Sequence, residues 1–152
     1  MKTLIVYVSP GYGNTEKVAK AIGKSLDAVL RFPDDVDKDL SMYDLLGFGS
    51  GIYYGKHDES LLDFVNGSLP MNTKAFIFST RGMGPPWLYH WFLRKALLDK
   101  GCTLVGEFSC KGFDDAGFLK LFGGVNKGRP NAEDLEKAVR FAESLKENLR
   151  VG

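Results

Sequence analysis

The sequence predicts an α/β fold in which a five-stranded parallel sheet carries helices on both faces, a doubly wound arrangement. Three observations support this prediction. Short runs of apolar and β-branched residues alternate with amphipathic helical patterns along the 152 residues. The first run, Leu4 to Val8, is apolar throughout, as expected for a strand buried on both faces. No repeat or linker divides the chain, so we expect residues 1–152 to form one domain.

The predicted strands and helices alternate in order. The strands are Leu4 to Val8, Ala28 to Phe32, Tyr43 to Ser50, Lys74 to Ser79 and Thr103 to Ser109. The helices are Glu16 to Leu26, Leu61 to Val65, Trp87 to Lys100 and a last helix that follows Asn131. Loops are predicted at Gly51 to Ser60, Thr80 to Pro86 and Lys111 to Pro130. Asn131 and Asp134 form a near capping box, which fixes the start of the last helix.

Four glycines carry positional information. Gly67 and Gly101 are predicted to end the second and third helices, since glycine is the residue preferred just beyond a helix C-terminus. Gly47 and Gly49 lie inside the third strand, where glycine weakens a ladder unless something packs closely against it. We therefore expect another backbone or a ligand to approach the third strand at these two positions.

The segment between the first strand and its helix has the composition of an anion site. It consists of Ser9, Pro10, Gly11, Tyr12, Gly13, Asn14 and Thr15, and none of these residues is charged. A helix N-terminus presents unpaired N–H groups and a partial positive charge, so glycines and hydroxyls placed there predict a phosphate site. The segment lacks the Gly-Lys-Ser/Thr of a P-loop and the third glycine of the dinucleotide fingerprint. An ordinary tight turn with a helix cap is the alternative.

The overall charge and the cysteines exclude several functions. With 20 basic and 19 acidic residues, the chain shows neither a nucleic-acid footprint nor a strongly acidic surface. No apolar run approaches the ~20 residues of a membrane span, and Met1-Lys2 leads directly into the first strand, so a cytoplasmic location is expected. Cys102 and Cys110 flank one strand, too far apart for a disulfide, and are predicted to be free thiols.

Three loops, one after each of strands 1, 3 and 4, together resemble those of the flavodoxin family. The first is the uncharged segment Ser9 to Thr15. The second runs through Gly49, Ser50, Gly51, Ile52, Tyr53, Tyr54, Gly55 and Lys56, and the third through Ser79, Thr80, Arg81, Gly82, Met83 and Gly84. The resemblance covers nearly the whole chain. It implies the flavodoxin-like strand order 2-1-3-4-5, with FMN held at the carboxyl ends of the strands.

The resemblance also implies roles for individual residues. The first loop would hold the phosphate, and the second and third would enclose the isoalloxazine ring. Tyr53, rather than Tyr54, is expected to stack on that ring, and Trp87 either stacks on it or packs within its helix. Gly51 and Gly55 are candidates for the peptide that turns to hydrogen-bond ring nitrogen N5, because glycine allows this without a steric penalty.

Two cations, Arg81 and Lys56, are expected near the ring, with a solvated surface charge as the alternative for each. Because the protein is near neutral, we expect the fully reduced flavin to be less destabilised than in acidic relatives. His57 lies on a predicted loop beside two carboxylates, so we expect it at the surface. His90 lies on a predicted helix, where we expect it either to pack against neighbours or to face solvent.

Three functions fit these observations. The favoured one is a flavodoxin that carries single electrons between redox partner proteins, which it contacts transiently; neither nucleic acid nor a membrane is an expected partner. The first alternative is an NAD(P)H-dependent quinone or FMN reductase of the same fold. The near-neutral charge of the chain and the presence of Arg81 would suit this function. The second is a non-enzymatic flavin-binding regulatory module. No catalytic residue and no metal site are predicted, and the oligomeric state stays open.

Overall fold

The elements of the fold come from a computed structural model, which describes residues 1–70, 72–114 and 117–151. Within these residues the strands are β1 (Thr3–Val8), β2 (Val29–Arg31), β3 (Leu45–Tyr53), β4 (Lys56–His57), β5 (Lys74–Arg81) and β6 (Thr103–Lys111). The α-helices are α1 (Asn14–Leu26), α2 (Glu59–Ser68), α3 (Pro86–Tyr89), α4 (Trp91–Asp99) and α5 (Ala132–Val151). Two 3₁₀ turns lie at Pro33–Asp35 and Gly117–Phe122.

Five of the strands form a parallel sheet in the order β2-β1-β3-β5-β6. This confirms the predicted order 2-1-3-4-5, because the additional β4 is a two-residue strand that pairs antiparallel with β3. The register aligns the carboxyl ends of neighbouring strands: Val8 pairs with Ser50, Gly51 with Thr80, and Thr80 with Cys110. The loops that follow β1, β3, β5 and β6 therefore meet at one edge.

The sheet is buried on both faces, as the doubly wound prediction requires. Alternate residues of β1 point to opposite sides, with Leu4 and Val6 in one apolar cluster and Ile5 and Tyr7 in the other. Helices α2 and α4 complete the first cluster, and α1 and α5 complete the second. This two-sided burial explains why the residues of the central strands form largely apolar runs in the sequence.

Gly47 and Gly49 make room for aromatic rings, so the expectation of a ligand or another backbone at these positions is wrong. Gly47 pairs with Phe76 and Gly49 with Phe78 on β5. A Cβ on either glycine would lie 2.2 Å from an atom of the paired ring. The two phenylalanine rings thus lie across the glycines and fill one face of the sheet.

The hairpin formed by β3 and β4 replaces the loop predicted from Gly51. Strand β3 continues to Tyr53, and Tyr53 pairs with Lys56 across a two-residue turn. Both turn residues have positive φ, 51° for Tyr54 and 81° for Gly55, which matches the turn geometry favoured in two-residue hairpins. Similarly, β5 continues to Arg81, two residues beyond its predicted end.

The helices differ from the prediction at two places. The helix expected over Trp87 to Lys100 is divided at His90, whose φ of −81° and ψ of −6° form the junction between α3 and α4. Helix α2 continues through Gly67 to Ser68 instead of ending at Gly67. The capping box of α5 is confirmed, since the Asn131 and Asp134 side chains each accept the other's backbone N–H at 2.9 Å.

We expect Gly67→Ala to stabilise the protein by about 0.5 kcal/mol, because Gly67 lies within a helix and a Cβ there would meet no atom within 4 Å. The matched control is Gly101→Ala. Gly101 ends α4 at a φ of 76°, so the same added methyl should there destabilise by about 1 kcal/mol. Urea unfolding of both variants checks the opposite signs, and a loss of stability in Gly67→Ala would contradict the helical assignment.

Cys102 and Cys110 are free and buried, as predicted. Burial raises the pKa of Cys110 to about 12, and the nearby Asp134 carboxylate adds to this, so the side chain stays a protonated thiol at neutral pH. Within the described residues, none of the helices has the length and apolar composition of a bilayer span.

Candidate functional site

A cavity of about 600 Å³ opens at the carboxyl edge of the sheet, between the loops that follow β1, β3, β5 and β6. Its lining residues are Ser9, Pro10, Gly11, Tyr12, Asn14, Thr15, Gly51, Ile52, Tyr53, Tyr54, Thr80, Arg81, Gly82, Gly112, Phe113 and Asp114. The volume is within the range of sites for small molecules and cofactors. The three loops singled out in the sequence therefore meet in one place.

Five residues predicted to bind the cofactor do not line this cavity: Gly13, Ser50, Gly55, Ser79 and Trp87. Ser50 and Ser79 are fully buried and hold neighbouring segments in place. Trp87 lies on α3 with 69% of its surface exposed. The remaining predicted residues all face the cavity, and their contact with a cofactor stays a prediction.

The uncharged loop after β1 is fixed to the start of α1. The Ser9 hydroxyl accepts a hydrogen bond from the Glu16 backbone N–H at 2.9 Å, which satisfies one of the N–H groups that a helix start leaves open. The hydroxyls of Thr15 and Thr80 are 2.8 Å apart, both buried, and tie this loop to the end of β5. This end of the cavity therefore combines hydroxyls with a helix N-terminus, and no basic side chain lines it in the part of the chain that the structure describes.

The hairpin end of the cavity presents tyrosines. The ring of Tyr53 lies over Gly51, so that a Cβ on Gly51 would be 2.7 Å from the Tyr53 hydroxyl. Burial raises the pKa of Tyr53, and the carboxylates of Asp58 and Asp114 raise it further. Ser50 anchors the hairpin from beneath, because its hydroxyl donates to the Gly51 carbonyl at 2.7 Å and accepts from the Asp58 N–H at 2.9 Å.

Arg81 supplies the cation of the cavity wall. Its Nε donates to the Gly84 carbonyl at 3.0 Å, while its Nη1 is buried and has no hydrogen-bond partner among the described residues. A buried donor without a partner is costly. Because Nη1 is closed to solvent, a ligand oxygen would reach it only if the guanidinium turned towards the cavity. Lys56, the other predicted cation, does not line the cavity; its ammonium pairs with Glu59 at 3.0 Å.

A fourth segment, Gly112 to Asp114 after β6, was missed by the sequence analysis. The Asn14 amide donates to the Phe113 carbonyl at 3.0 Å, and the rings of Tyr12 and Phe113 meet edge to face at 4.8 Å. These contacts join the segment to the uncharged loop. The sequence offered one signal for it. The segment follows a predicted strand, and the carboxyl ends of parallel strands lie at the same edge of the sheet, where the site was expected.

Two histidines lie in a buried polar network on the opposite side of β5 from Thr80. The Ser79 hydroxyl is 2.7 Å from His90 Nε2 and 2.8 Å from the Ser109 hydroxyl. His90 Nδ1 is 2.9 Å from a Glu107 carboxylate oxygen, and the Arg94 guanidinium donates to both oxygens of that carboxylate. Burial raises the pKa of Glu107, but hydrogen bonds from His90 and Arg94 outweigh this and lower it to about 2. Glu107 therefore stays ionised at neutral pH.

His57 is buried, so its expected surface position is wrong. It is 1% exposed, and its Nε2 lies 3.1 Å from the Phe78 carbonyl. Its ring centre lies 4.9 Å from that of His90, with the two rings tilted by 48°. Burial lowers the pKa of His57 to about 3, and electrostatic interactions with His90 and Arg94 lower it as well. Because a carbonyl only accepts, Nε2 carries the proton and Nδ1 faces no partner among the described residues.

The sheet order and the cavity at its carboxyl edge define the flavodoxin-like class of α/β proteins. Comparison with known proteins agrees. A family model described as a flavodoxin domain matches residues 4–86. An uncharacterized protein of Methanocaldococcus jannaschii is 48% identical over 152 residues, covering 97% of this chain and 100% of that protein. The chain belongs to the flavodoxin family.

Two solved structures share the fold at low identity. A flavodoxin from the domain Archaea superposes with a TM-score of 0.75 at 20% identity, and the match covers 99% of each chain. Flavodoxin 2 from Bacillus cereus gives a TM-score of 0.72 at 22% identity over 97% of this chain and 99% of that one. The likeness extends over the full sheet and both helical layers.

Proposed function

We propose that this protein binds FMN in the cavity at the carboxyl edge and carries single electrons between redox partner proteins. The proposal rests on one observation, the chemical difference between the two ends of the cavity. One end is an uncharged loop at a helix N-terminus, and the other presents Tyr53 and Arg81. A phosphate suits the first end, and a planar ring with carbonyl oxygens suits the second. Membership of the flavodoxin family supports the same ligand.

The residues present fit that cofactor. The backbone N–H groups of Ser9 and of residues 11–15, with the hydroxyls of Ser9 and Thr15, would bind the phosphate without a basic side chain. Tyr53 would cover one side of the ring, and the Arg81 guanidinium, turned towards the cavity, would donate to a ring carbonyl. When bound, the flavin supplies the capacity to take up and release electrons, and the chain positions it and limits the access of water.

A second candidate function, an NAD(P)H-dependent flavin reductase, is favoured by Arg81. A guanidinium in the cavity wall would stabilise negative charge on a ring that has accepted two electrons at once. The mouth of the cavity is open on the side of the uncharged loop, where the lining residues Pro10, Gly11 and Tyr12 are exposed. This openness suits electron transfer between proteins better than an enclosed hydride pocket. We therefore place the carrier first.

The test begins with the visible spectrum of the purified protein and its titration with FMN. We expect a yellow protein, or uptake of one FMN per chain with quenching of the flavin fluorescence. Anaerobic NADH or NADPH should leave the colour unchanged over minutes, whereas dithionite should reduce the flavin in two separate one-electron steps. Rapid bleaching by NADH or NADPH would favour the reductase, and a colourless protein that takes up no FMN would refute both.

We predict that Arg81→Gln lowers the potential of the second one-electron step by roughly 60 mV, a tenfold change in that equilibrium. The second electron adds negative charge to the ring, and Arg81 is the cation that lines the cavity among the described residues. Lys56→Gln is the matched control, because Lys56 pairs with Glu59 outside the lining and should change the potential little. Equal shifts in the two variants, measured by spectroelectrochemistry, would contradict a local role for Arg81.

A further inference from the structure

Large apolar side chains cluster on the surface beside the cavity. Six such residues, here called the aromatic face, are Tyr54, Met83, Trp87, Leu88, Trp91 and Phe92. Tyr54 is fully exposed, Trp87 and Met83 are more than 60% exposed, and the other three are each 49% exposed. Soluble monomers seldom expose so many large apolar groups together.

The aromatic face is continuous, although its residues come from three segments. Tyr89 lies between the hairpin tip and the loop after β5: a Cβ on Gly55 would be 3.9 Å from its ring, and one on Gly84 would be 2.0 Å from its hydroxyl. Lys56 of the hairpin lies over the Phe92 ring at 5.9 Å, and Phe92 meets Trp91 edge to face at 4.9 Å. The hairpin tip, the loop and helices α3 and α4 therefore share one surface.

The area of the aromatic face matches one side of a stable protein interface. At about 200 Å² for a whole aromatic side chain, the exposed parts of its four aromatic residues amount to roughly 500 Å². With Leu88 and Met83 the total is roughly 700 Å², close to the ~800 Å² that each partner contributes to an interface of standard size. Two such faces would thus suffice for a dimer.

Three cations around the face are paired with carboxylates of the same chain. Lys56 pairs with Glu59 at 3.0 Å, and the Arg94 guanidinium pairs with the Glu107 carboxylate at 2.7 Å. Lys95 pairs with Asp99, also at 2.7 Å. The formal net charge of the whole chain is only +1. Two copies could therefore bring their aromatic faces together with little repulsion, whereas a strongly charged partner would find no complementary charge here.

We propose that two copies of this chain associate through their aromatic faces to form a dimer. A second copy is always present at the concentration of the first, so it can cover a surface that would otherwise promote aggregation. Because Tyr54 belongs to the face and also lines the cavity, the partner copy would cover the hairpin side of each cavity mouth. The dimer does not depend on the proposed cofactor, and its test needs no flavin.

Sedimentation velocity of the wild-type protein at about 1 to 100 µM should show a dimer that dissociates on dilution. The two tryptophans of the chain both belong to the aromatic face, so their fluorescence emission should shift to the red as the dimer dissociates. A chain that remains monomeric throughout this range would overturn the proposal. Running the same series with and without FMN separates failure of the dimer from failure of flavin binding.

Charged substitutions then locate the interface. Trp87→Glu and Tyr54→Asp, on two different segments of the face, should each weaken the dimer at least a hundredfold, because each places an unpaired charge in the buried contact. Val139→Glu is the matched control: Val139 is an exposed apolar residue of α5, which packs on the other side of the sheet. Far-ultraviolet circular dichroism and the melting temperature confirm that each variant is folded.

Two further outcomes would overturn the proposal. One is a dimer that Val139→Glu disrupts and the two face variants leave intact, since it would place the contact on the opposite side. The other is a monomer that binds sedimenting vesicles of mixed neutral and anionic phospholipid through Trp87, since the aromatic face would then be a membrane contact.

Discussion

Lowering the pH from 7 to 4 is expected to destabilise this protein by about 3 kcal/mol through His57 alone. The folded protein holds the pKa of His57 at about 3, whereas an unfolded histidine titrates near its ordinary value of 6.5. Between these values the unfolded chain binds a proton that the folded chain does not. The stabilising contribution is therefore complete above pH 6.5 and is lost as the pH falls towards 3.

The physical cause is the position of the ring. His57 Nε2–H donates to the Phe78 carbonyl, so a second proton would have to enter at Nδ1, which is buried and has no acceptor among the described residues. Burial opposes that charge most strongly, and electrostatic interactions with His90 and Arg94 oppose it further. The Glu107 carboxylate and the Phe78 carbonyl favour the charge but do not compensate.

His57→Gln tests this prediction, because an amide can keep the hydrogen bond to Phe78 and does not titrate. Urea unfolding at pH 7 and pH 4 should show that the wild type loses about 3 kcal/mol more than the variant over this interval. Glu107 also stabilises the folded protein less as the pH falls from its unfolded pKa of 4.5 towards its folded pKa of about 2. This loss occurs in both proteins and therefore cancels in the comparison. Equal losses in the two proteins would show that His57 is protonated in the folded state at pH 4.

The burial of the two histidines could not be predicted from the sequence. His57 is followed by Asp58 and Glu59, which is the local pattern of a solvated loop. Its burial depends on the Phe78 carbonyl of β5 and on the ring of His90, partners that are more than 20 residues away along the chain. Polar residues at such positions reveal their burial only when the tertiary partners are known.

The hairpin was missed for a different reason. The usual sequence signal for a two-residue turn is Asn-Gly or Asp-Gly, because both positions need positive φ. This turn has Tyr54 at the first position, where a bulky residue is uncommon, and only Gly55 carries the expected signal. The central strands β1, β3 and β5, by contrast, were predictable because their burial on both faces leaves largely apolar runs in the sequence.

The part of the cavity that follows from the strand order was predicted correctly. Once the order 2-1-3-4-5 is accepted, the loops after strands 1, 3 and 4 must meet at one edge, and they do. The segment Gly112 to Asp114 obeys the same rule, but it begins a glycine-rich stretch with no periodic pattern, and nothing local distinguishes Phe113 from a surface residue. Long-range contacts with Tyr12 and Asn14 give it its place.

Adding one negative charge to the uncharged loop is expected to weaken FMN binding by about 2 kcal/mol, or roughly thirtyfold, while riboflavin binding changes little. Pro10 is the position of choice, because it is exposed, lines the cavity and makes no backbone N–H hydrogen bond. In Pro10→Asp the new carboxylate would face the phosphate dianion of FMN. Riboflavin lacks that phosphate and so reports any general damage to the cavity.

Pro10→Asn is the matched control, since it removes the same proline ring and adds a side chain of nearly the same size without charge. Fluorescence titration should give equal FMN affinities for Pro10→Asn and the wild type, and a weaker affinity for Pro10→Asp that improves as salt screens the repulsion. If Pro10→Asp weakened FMN and riboflavin equally, the phosphate would lie elsewhere. A helix N-terminus without a basic side chain binds a dianion through its backbone N–H groups and dipole, and this pair of variants changes one charge beside them.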